Sequence, residues 1–464
     1  MKFGTAALAL VLSAATGCTG LSSATRTGTA SPIAGAFPNL EARSARALPA
    51  HTYSERVLYK FLGSPDGANP EAGVIPGVDG NLYGTTVEGG ANVNCPGGFG
   101  MGCGTVFAID SVGNERVVYS FAGSPDGSTP FASLLSDAAG NLYGTTAAGG
   151  NGKACLSFNP DGCGTAFKID SAGHESILHN FLGFFGSGRG DGEGPKGSLF
   201  QNADGSVFGA TAYGGRRSAG VIFEIHPDRK ERILHDFDGH GSDAGGSYAG
   251  LVRDSMGNFY GTTYQGGGGN CIGGCGSVFK LDPAGVFTTL YRFTGGKDGG
   301  NPYGGLVMDA SGDLFGTAQN YGNLACNKQG GNPGCGTVFK LDRVRKLTVL
   351  HTFAGSPDGA SPTATLLRDA SGNLYGATPF GGDSSCNGGY SCGVVFKINT
   401  SGLESVLYTF KGGAHDGEVP YGGLYRDNAG DLFGTTVSGG KGPCQQGCGI
   451  VFELIPPATE QDAR

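Results

Sequence analysis

Asn81-Leu-Tyr-Gly-Thr-Thr86 decides the fold, because it returns six more times along the 464-residue chain. Its counterparts begin at Asn141, Ser206, Asn258, Asp313, Asn373 and Asp431, at spacings of 60, 65, 52, 55, 60 and 58 residues. Two other strings keep step with it. Gly104-Thr-Val-Phe107 returns around Gly164, Gly220, Gly276, Gly336, Gly393 and Gly449. Val57-Leu-Tyr-Lys-Phe61 returns as Tyr119/Phe121, His179/Phe181, His235/Phe237, Tyr291/Phe293, His351/Phe353 and Tyr408/Phe410. Seven copies of every element mean seven units, and repetition at this period signals a repeat architecture.

Each unit holds four short runs of β-forming residues separated by glycine turns. In the second unit they are Pro130–Leu135, Asn141–Thr146, Gly164–Ile169 and Ser176–Phe181. Asp137-Ala-Ala-Gly140 joins the first two and Asp170-Ser-Ala-Gly173 the last two. Aspartate opening and glycine closing a tight reversal is hairpin chemistry. Four-stranded antiparallel units repeated radially predict an all-β, seven-bladed β-propeller over residues 55–455. The first run carries paired small residues in every copy, such as Ala72-Gly73 and Gly422-Gly423, so it is placed innermost, where seven strands converge. The chain opens with an outer strand, Val57–Phe61, and its last unit lacks one, so the N-terminal strand is predicted to complete the last blade. That closure removes two free edges.

Composition narrows the class. Glycine supplies 91 residues and proline 22, but 38% of residues are hydrophobic and 10% aromatic, enough for a large core. Glycine follows no three-residue period, which excludes collagen, and no long heptad runs occur, which excludes a coiled coil. Only 15% of residues are charged and the net charge is −8, the wrong surface for nucleic acid.

Met1-Lys2-Phe3, an apolar run to Ala15 and Thr16-Gly17-Cys18 read as an export signal over residues 1–18 with a lipobox-like ending. Cys18 is the expected lipidation site, with a plain cleaved signal as the alternative. Residues 19–54, rich in Ser, Thr, Ala and Pro, read as a tether, and 456–464 as a tail. The expected location is the cell envelope, lipid-anchored at the outer membrane or surface, or secreted if the lipobox is unused. No later run is long enough to cross a membrane, so a lipid anchor is the one membrane attachment expected. Removing Cys18 from the 13 cysteines leaves six close pairs: Cys95/Cys103, Cys155/Cys163, Cys271/Cys275, Cys326/Cys335, Cys386/Cys392 and Cys444/Cys448. Close pairing in an exported chain predicts disulfides within blades, closing loops on one face of the ring. Each pair lacks a nearby histidine pair, which argues against zinc.

Most recurring residues read as structural. Tyr83, Tyr143, Phe208, Tyr260, Phe315, Tyr375 and Phe433 share one strand position and are expected between blades. His179, His235 and His351 stand where other copies have Tyr, a place for a flat ring with a polar tip rather than a catalyst. The Asp-Gly pairs at Asp66, Asp126, Asp298, Asp358 and Asp416 suit turns between blades; calcium is the weaker reading, since no further carboxylates stand at ligand spacing. No metal or other cofactor is expected. Gly389-Tyr-Ser-Cys-Gly393 spells a hydrolase elbow but overlays the Gly-Cys-Gly of other copies. One position breaks the pattern. Directly before the small pair stand Glu71, Phe131, Lys196, Tyr248, Tyr303, Thr363 and Tyr421, ranging over acid, base and aromatic. They are expected at the channel mouth, on the face of the cysteine loops, as a ligand-binding rim.

The repeated Asn-Leu-Tyr-Gly-Thr-Thr … Gly-Thr-Val-Phe-Lys-Ile/Leu-Asp unit resembles the GloVer tandem repeat of bacterial exported proteins over about residues 55–455. The resemblance implies an extracellular or surface-attached protein and supplies no catalytic residues. Copy three departs from it: Gly214-Gly-Arg-Arg-Ser-Ala-Gly220 is short and free of cysteine. The favoured role is a monomeric binding module for a glycan or a surface or envelope protein. A carbohydrate lyase or hydrolase at the channel mouth is the alternative, and a purely structural surface element the third.

Overall fold

The computed structural model of the protein describes residues 53–93, 95, 101–153, 155, 162–183, 190–239, 243–326, 333–386 and 391–458. The export signal, Cys18 and the tether up to residue 52 lie outside the described residues.

Seven four-stranded antiparallel sheets follow one another along the chain. Blade 2 is typical: Leu135–Ser136, Leu142–Thr146, Thr165–Ile169 and Glu175–Asn180, each hydrogen-bonded to the next. Ring closure occurs as the repeat phase predicts. Ser54–Lys60 pairs antiparallel with Ile450–Ile455 in the last blade, with Ser54 opposite Ile455 and Lys60 opposite Ile450. The strand starts before Val57, and Tyr53 is buried, its N–H donating to the Leu407 carbonyl at 3.1 Å.

The innermost run is corrected in length. In blade 2 the ladder takes only Leu135–Ser136, at the very end of the expected Pro130–Leu135, and the innermost strand is two residues long in every blade. The reason is crowding at the axis. A side chain on Gly73 would collide with the Gly423 carbonyl, and one on Gly304 would place its Cβ 2.5 Å from the Ala364 carbonyl. Backbone this close to its neighbours cannot keep a pleated ladder. Its carbonyls are served instead by the repeated threonine. Thr85, Thr145, Thr262, Thr317 and Thr435 donate through Oγ1 to the carbonyls of Ala132, Gly197, Gly304, Ala364 and Ala72, each one blade on. These bonds carry the ring from blade to blade.

The glycine of Leu-Tyr-Gly-Thr-Thr has a packing cause. The Phe167 ring of the third strand lies across Gly144, whose added Cβ would sit 2.5 Å from the ring edge. Phe107, Phe167, Phe223, Phe279, Phe339, Phe396 and Phe452 are fully buried in this way, and each meets the outer-strand phenylalanine of the preceding blade edge-on, as Phe121 meets Phe167 at 5.1 Å. The core is therefore a ring of aromatic pairs between blades. Tyr143 and Tyr375 are buried at such interfaces, with the Tyr143 hydroxyl donating to Asp137 at 3.1 Å.

All six cysteine pairs are bridged, each inside its own blade: Cys95–Cys103, Cys155–Cys163, Cys271–Cys275, Cys326–Cys335, Cys386–Cys392 and Cys444–Cys448. Sequence placed the cysteine loops on one face of the ring; the structure adds that the second cysteine of every pair is core. Cys103, Cys163, Cys275, Cys335, Cys392 and Cys448 are all fully buried. Cys163 belongs to the same core cluster as Phe181, Cys275 to that of Phe293, and Cys448 to that of Phe61. Cys103, Cys335 and Cys392 share clusters with Phe121, Phe353 and Phe410 in the same way. The physical reason is position: each of these cysteines stands one residue before the third-strand glycine, so it enters the sheet where the outer-strand phenylalanine already excludes water. A half-cystine is a compact apolar group and fills that space at no polar cost. The staples thus lie beneath the crossover to the next blade, with Gly123 packed over Cys95 and Cys103, and Gly355 over Cys326 and Cys335.

Two features read separately from sequence prove to be partners. Tyr59, Tyr119 and Tyr291 donate through their hydroxyls to Asp66, Asp126 and Asp298 at 3.0 Å, and Tyr408 to Asp416 at 3.1 Å. His179, His235 and His351 place Nε2 within 3.0–3.1 Å of Asp191, Asp243 and Asp358. The His/Tyr site does want a flat ring with a polar tip. The same aspartates accept backbone N–H bonds, as Asp66 does from Leu62 and Gly67, so their oxygens hold the loop to the ring. At two interfaces the histidine, the aspartate and a glutamate of the next blade (Glu231 or Glu404) bring one nitrogen and two carboxylate oxygens within 4.8 Å. Tyr holds the ring's place in four of the other blades and His235 in the fifth, which makes this an interblade lock.

Candidate functional site

The extended run that leads into the first strand of each blade brings its variable residue to the axis. All of Glu71, Phe131, Lys196, Tyr248, Tyr303, Thr363 and Tyr421 line one axial cavity of about 80 Å³, floored by the small residues that follow them. Thus the structure brings the whole set together, and packs it more tightly than a solvated rim. Tyr248 and Tyr303 from neighbouring blades stack at 5.1 Å and 19°. Tyr421 meets Tyr303 edge-on at 5.6 Å. Thr363 is buried and donates to the Tyr421 carbonyl at 3.1 Å.

Charge sits on the opposite arc. The Lys196 ammonium lies 4.6 Å from the Phe131 ring centre and 5.4 Å from that of Tyr248, a cation held between two π faces. Burial lowers its pKa and the nearby Glu71 charge partly restores it. Burial pushes the Glu71 carboxyl up to about 7 against the opposing pull of Lys196. Burial also lifts the hydroxyls of Tyr248, Tyr303 and Tyr421 well above the ordinary phenol range, so all three stay neutral donors at physiological pH. Glu71 is the one carboxyl among the described residues lining the cavity.

Tyr248 also walls a second, larger cavity of about 500 Å³ between blades 3 and 4. Tyr213, Arg217, Ser218 and Gln265 line it, with glycines of the crossover and of blade 4. The Tyr213 and Tyr248 hydroxyls are hydrogen-bonded at 2.7 Å, and Tyr264 meets Tyr248 edge-on at 5.3 Å. Sequence reasoning does not single these residues out. Their signal is nonetheless present: the two positions after the Thr-Thr of each repeat read Val87-Glu88, Ala147-Ala148, Ala212-Tyr213, Tyr264-Gln265, Gln319-Asn320, Pro379-Phe380 and Val437-Ser438, as variable as the axial set.

The family model described as the Gloeobacter/Verrucomicrobia repeat matches residues 47–271, 154–326 and 325–462. No curated protein matches the chain. Among solved structures, the extracellular domain of a hybrid two-component system from B. thetaiotaomicron is similar at 11% identity and a TM-score of 0.47, over 86% of this chain and 40% of that one. This chain therefore spans well under half of that protein. A gluconolactonase from Xanthomonas campestris is similar at 13% identity and a TM-score of 0.39, over 87% of this chain and 89% of that one. A luciferin-regenerating enzyme is similar at 13% identity and a TM-score of 0.40, over 72% and 92% respectively. Likeness this distant carries no argument about activity.

Proposed function

From the premise that the chain belongs to the Gloeobacter/Verrucomicrobia repeat family, we propose that it is an exported binding module whose ligand, a glycan or a sugar-bearing envelope partner, is taken at the axial mouth. One observation carries this reading: in a ring whose copies otherwise agree closely, the variable position of all seven copies converges on one axial cavity. A structural position in a repeat is filled alike, whereas here aromatic faces, an ammonium and a carboxyl share one small surface. Stacked tyrosines suit the apolar face of a sugar ring, and fixed hydroxyls suit its polar edge. Six disulfides fit export, and lipid attachment through Cys18 is part of the same proposal.

Glycan arrays probed with the purified ring test it. Y248A/Y303A/Y421A should lose whatever glycan the parent binds while keeping a cooperative melt. Binding that survives the triple change refutes the axial site. An enzyme reading has one observation in favour: Glu71, with its pKa raised to about 7 beside Lys196, is poised for proton transfer. Glycoside hydrolysis ordinarily uses two carboxyls, and the described lining offers one, so binding is favoured. Turnover that E71Q abolishes without weakening binding would reverse that preference.

A further inference from the structure

The axial cavity is small, about 80 Å³, so it takes only part of a ligand at its mouth, whereas the cleft beside it, at about 500 Å³, falls in the range of about 300–1,000 Å³ usual for small-ligand sites. Its origin is legible in the repeat. Four residues separate Gly215 from Gly220 in copy three, against thirteen between Gly90 and Gly104 and eight between Gly267 and Gly276. The short loop leaves room on the blade 3 side, and glycines leave it on the blade 4 side; at Gly268 a Cβ would meet nothing within 4 Å.

The chemistry of the cleft is one-sided. Arg217 carries the only charge among the described residues lining it, in a chain of net charge −8. The adjacent Arg216 is drawn away to Asp236 at 3.5 Å on the outer strand, while Arg217 forms no ion pair among the described residues. Across the shared Tyr248 wall stands Lys196, 5.4 Å from that ring. An exposed guanidinium with a fixed aromatic face beside it, an amide at Gln265 and a second cation beyond matches a flat ring bearing a carboxylate. Guanidinium grips a carboxylate through two parallel bonds, while the tyrosine takes the apolar face of the ring.

Resting on the axial reading above, we propose that the cleft between blades 3 and 4 is a subsite for an acidic sugar, so that the ligand is a uronate-containing oligosaccharide. It lies from the cleft across Tyr248 to the axis. Tyr213 is a positioning residue here, holding Tyr248 through the hydroxyl pair.

Titration calorimetry with trigalacturonate, galacturonate and neutral maltotriose tests the proposal on the full chain. Trigalacturonate should bind and maltotriose should bind at least about tenfold more weakly, the scale of one charged hydrogen-bonded contact. R217A should weaken trigalacturonate about tenfold or more. R216A removes the same charge one residue away, outside the cleft, and should leave affinity unchanged. Both arginines are exposed, so neither change threatens the fold. Galacturonate should bind more weakly than the trimer, since it fills one subsite. If R217A leaves trigalacturonate affinity intact while Y303A/Y421A abolishes it, the cleft proposal falls and the axial reading stands. Preference for maltotriose, lost in Y303A/Y421A, likewise removes the cleft and keeps the axis. If none of the three saccharides binds, the uronate proposal falls, while the axial reading is still decided by the glycan array and Y248A/Y303A/Y421A.

Discussion

Raising the pH from 5 to 8 should weaken the ring, and five glutamates should be the cause. Glu55, Glu115, Glu175, Glu231 and Glu404 each stand at the start of an outer strand and face the Asp–ring pair of the preceding blade. In each, Oε1 is buried and has no hydrogen-bond partner among the described residues. Burial, with the neighbouring aspartate charge adding to it, pushes Glu115 and Glu175 up to about 7; burial does the same for Glu231, where His179 opposes and Asp191 adds. Glu55 and Glu404 are raised too, by burial and by Asp416 and Asp358. A carboxyl that keeps its proton to about pH 7 when folded and to 4.5 when unfolded is linked to about 3.4 kcal/mol at full strength. Partial exposure and a high effective dielectric reduce this to ~1 kcal/mol per site, or ~5 kcal/mol for the five. The sign follows from the folded state holding the extra proton: stability is fully present below pH 4.5 and lost as the pH rises through 7. Asp110 and Asp170, held below the ordinary range by backbone N–H groups of Asn114 and His174, act in the opposite sense, but only at lower pH. Guanidinium midpoints measured from pH 5 to 8.5 should fall for the parent chain. They should fall clearly less for the variant carrying Gln at all five positions, which keeps shape and removes these five titrations while Glu71, also raised to about 7, keeps its share. A parent midpoint independent of pH, or an equal fall in the Gln variant, refutes the carboxyl account.

Three other outcomes are expected. Deleting residues 55–62 removes the partner of Ile450–Ile455 and the Tyr408–Glu55 contact, so calorimetry should show a lowered, broadened melt of the whole ring; an unchanged melt contradicts closure. Opening one staple, as in C95A/C103A, should cost about 2–3 kcal/mol in the chain-entropy view, and peptide mapping of the parent should find only links within blades. G144A should cost about 1–3 kcal/mol by forcing Phe167 aside, and F167L in the same chain should recover part of it; a double variant no better than G144A shows that the ring is not what excludes the Cβ.

The fold was legible because repetition multiplies weak evidence. One Leu-Tyr-Gly-Thr-Thr would suggest a strand; seven in step with Gly-Thr-Val-Phe set the blade, its phase and its closure. What the repeat could not convey was the meaning of its own constants. Asp66 read as a turn and Tyr59 as a packed ring, yet the hydrogen bond that makes them one device lies in three dimensions. The threonines read as β-formers, while their hydroxyls tie each blade to the next. Cysteine spacing gave the pairing but not the depth: Cys163, Cys275 and Cys448 are core residues because of the phenylalanines that share their clusters, which lie on another strand. The innermost run read as a full strand because propensity does not register crowding at an axis, where Gly73 and Gly423 leave no room for a ladder.

The site was half legible for a related reason. Variation within a constant repeat marked Glu71, Lys196 and Tyr248 and their counterparts, and the ring gathers all seven. The same criterion applied two residues past each Thr-Thr would have marked Tyr213, Tyr264 and Gln265. It would not have joined them to Arg217, which lies in the loop where copy three loses both cysteines. A missing staple reads from sequence as decay of the repeat. In the folded ring the staples of other blades fill the space under the crossover, so losing one, together with nine residues relative to copy one, opens a cleft where the variable residues of blades 3 and 4 already face each other. The departure of copy three is then a gain of volume at an interface that presents an exposed guanidinium in a cleft walled by the axial Tyr248. Restoring a thirteen-residue cysteine loop between Gly215 and Gly220 should therefore fill the cleft and remove acidic-sugar affinity without unfolding the ring, since six other blades carry such staples.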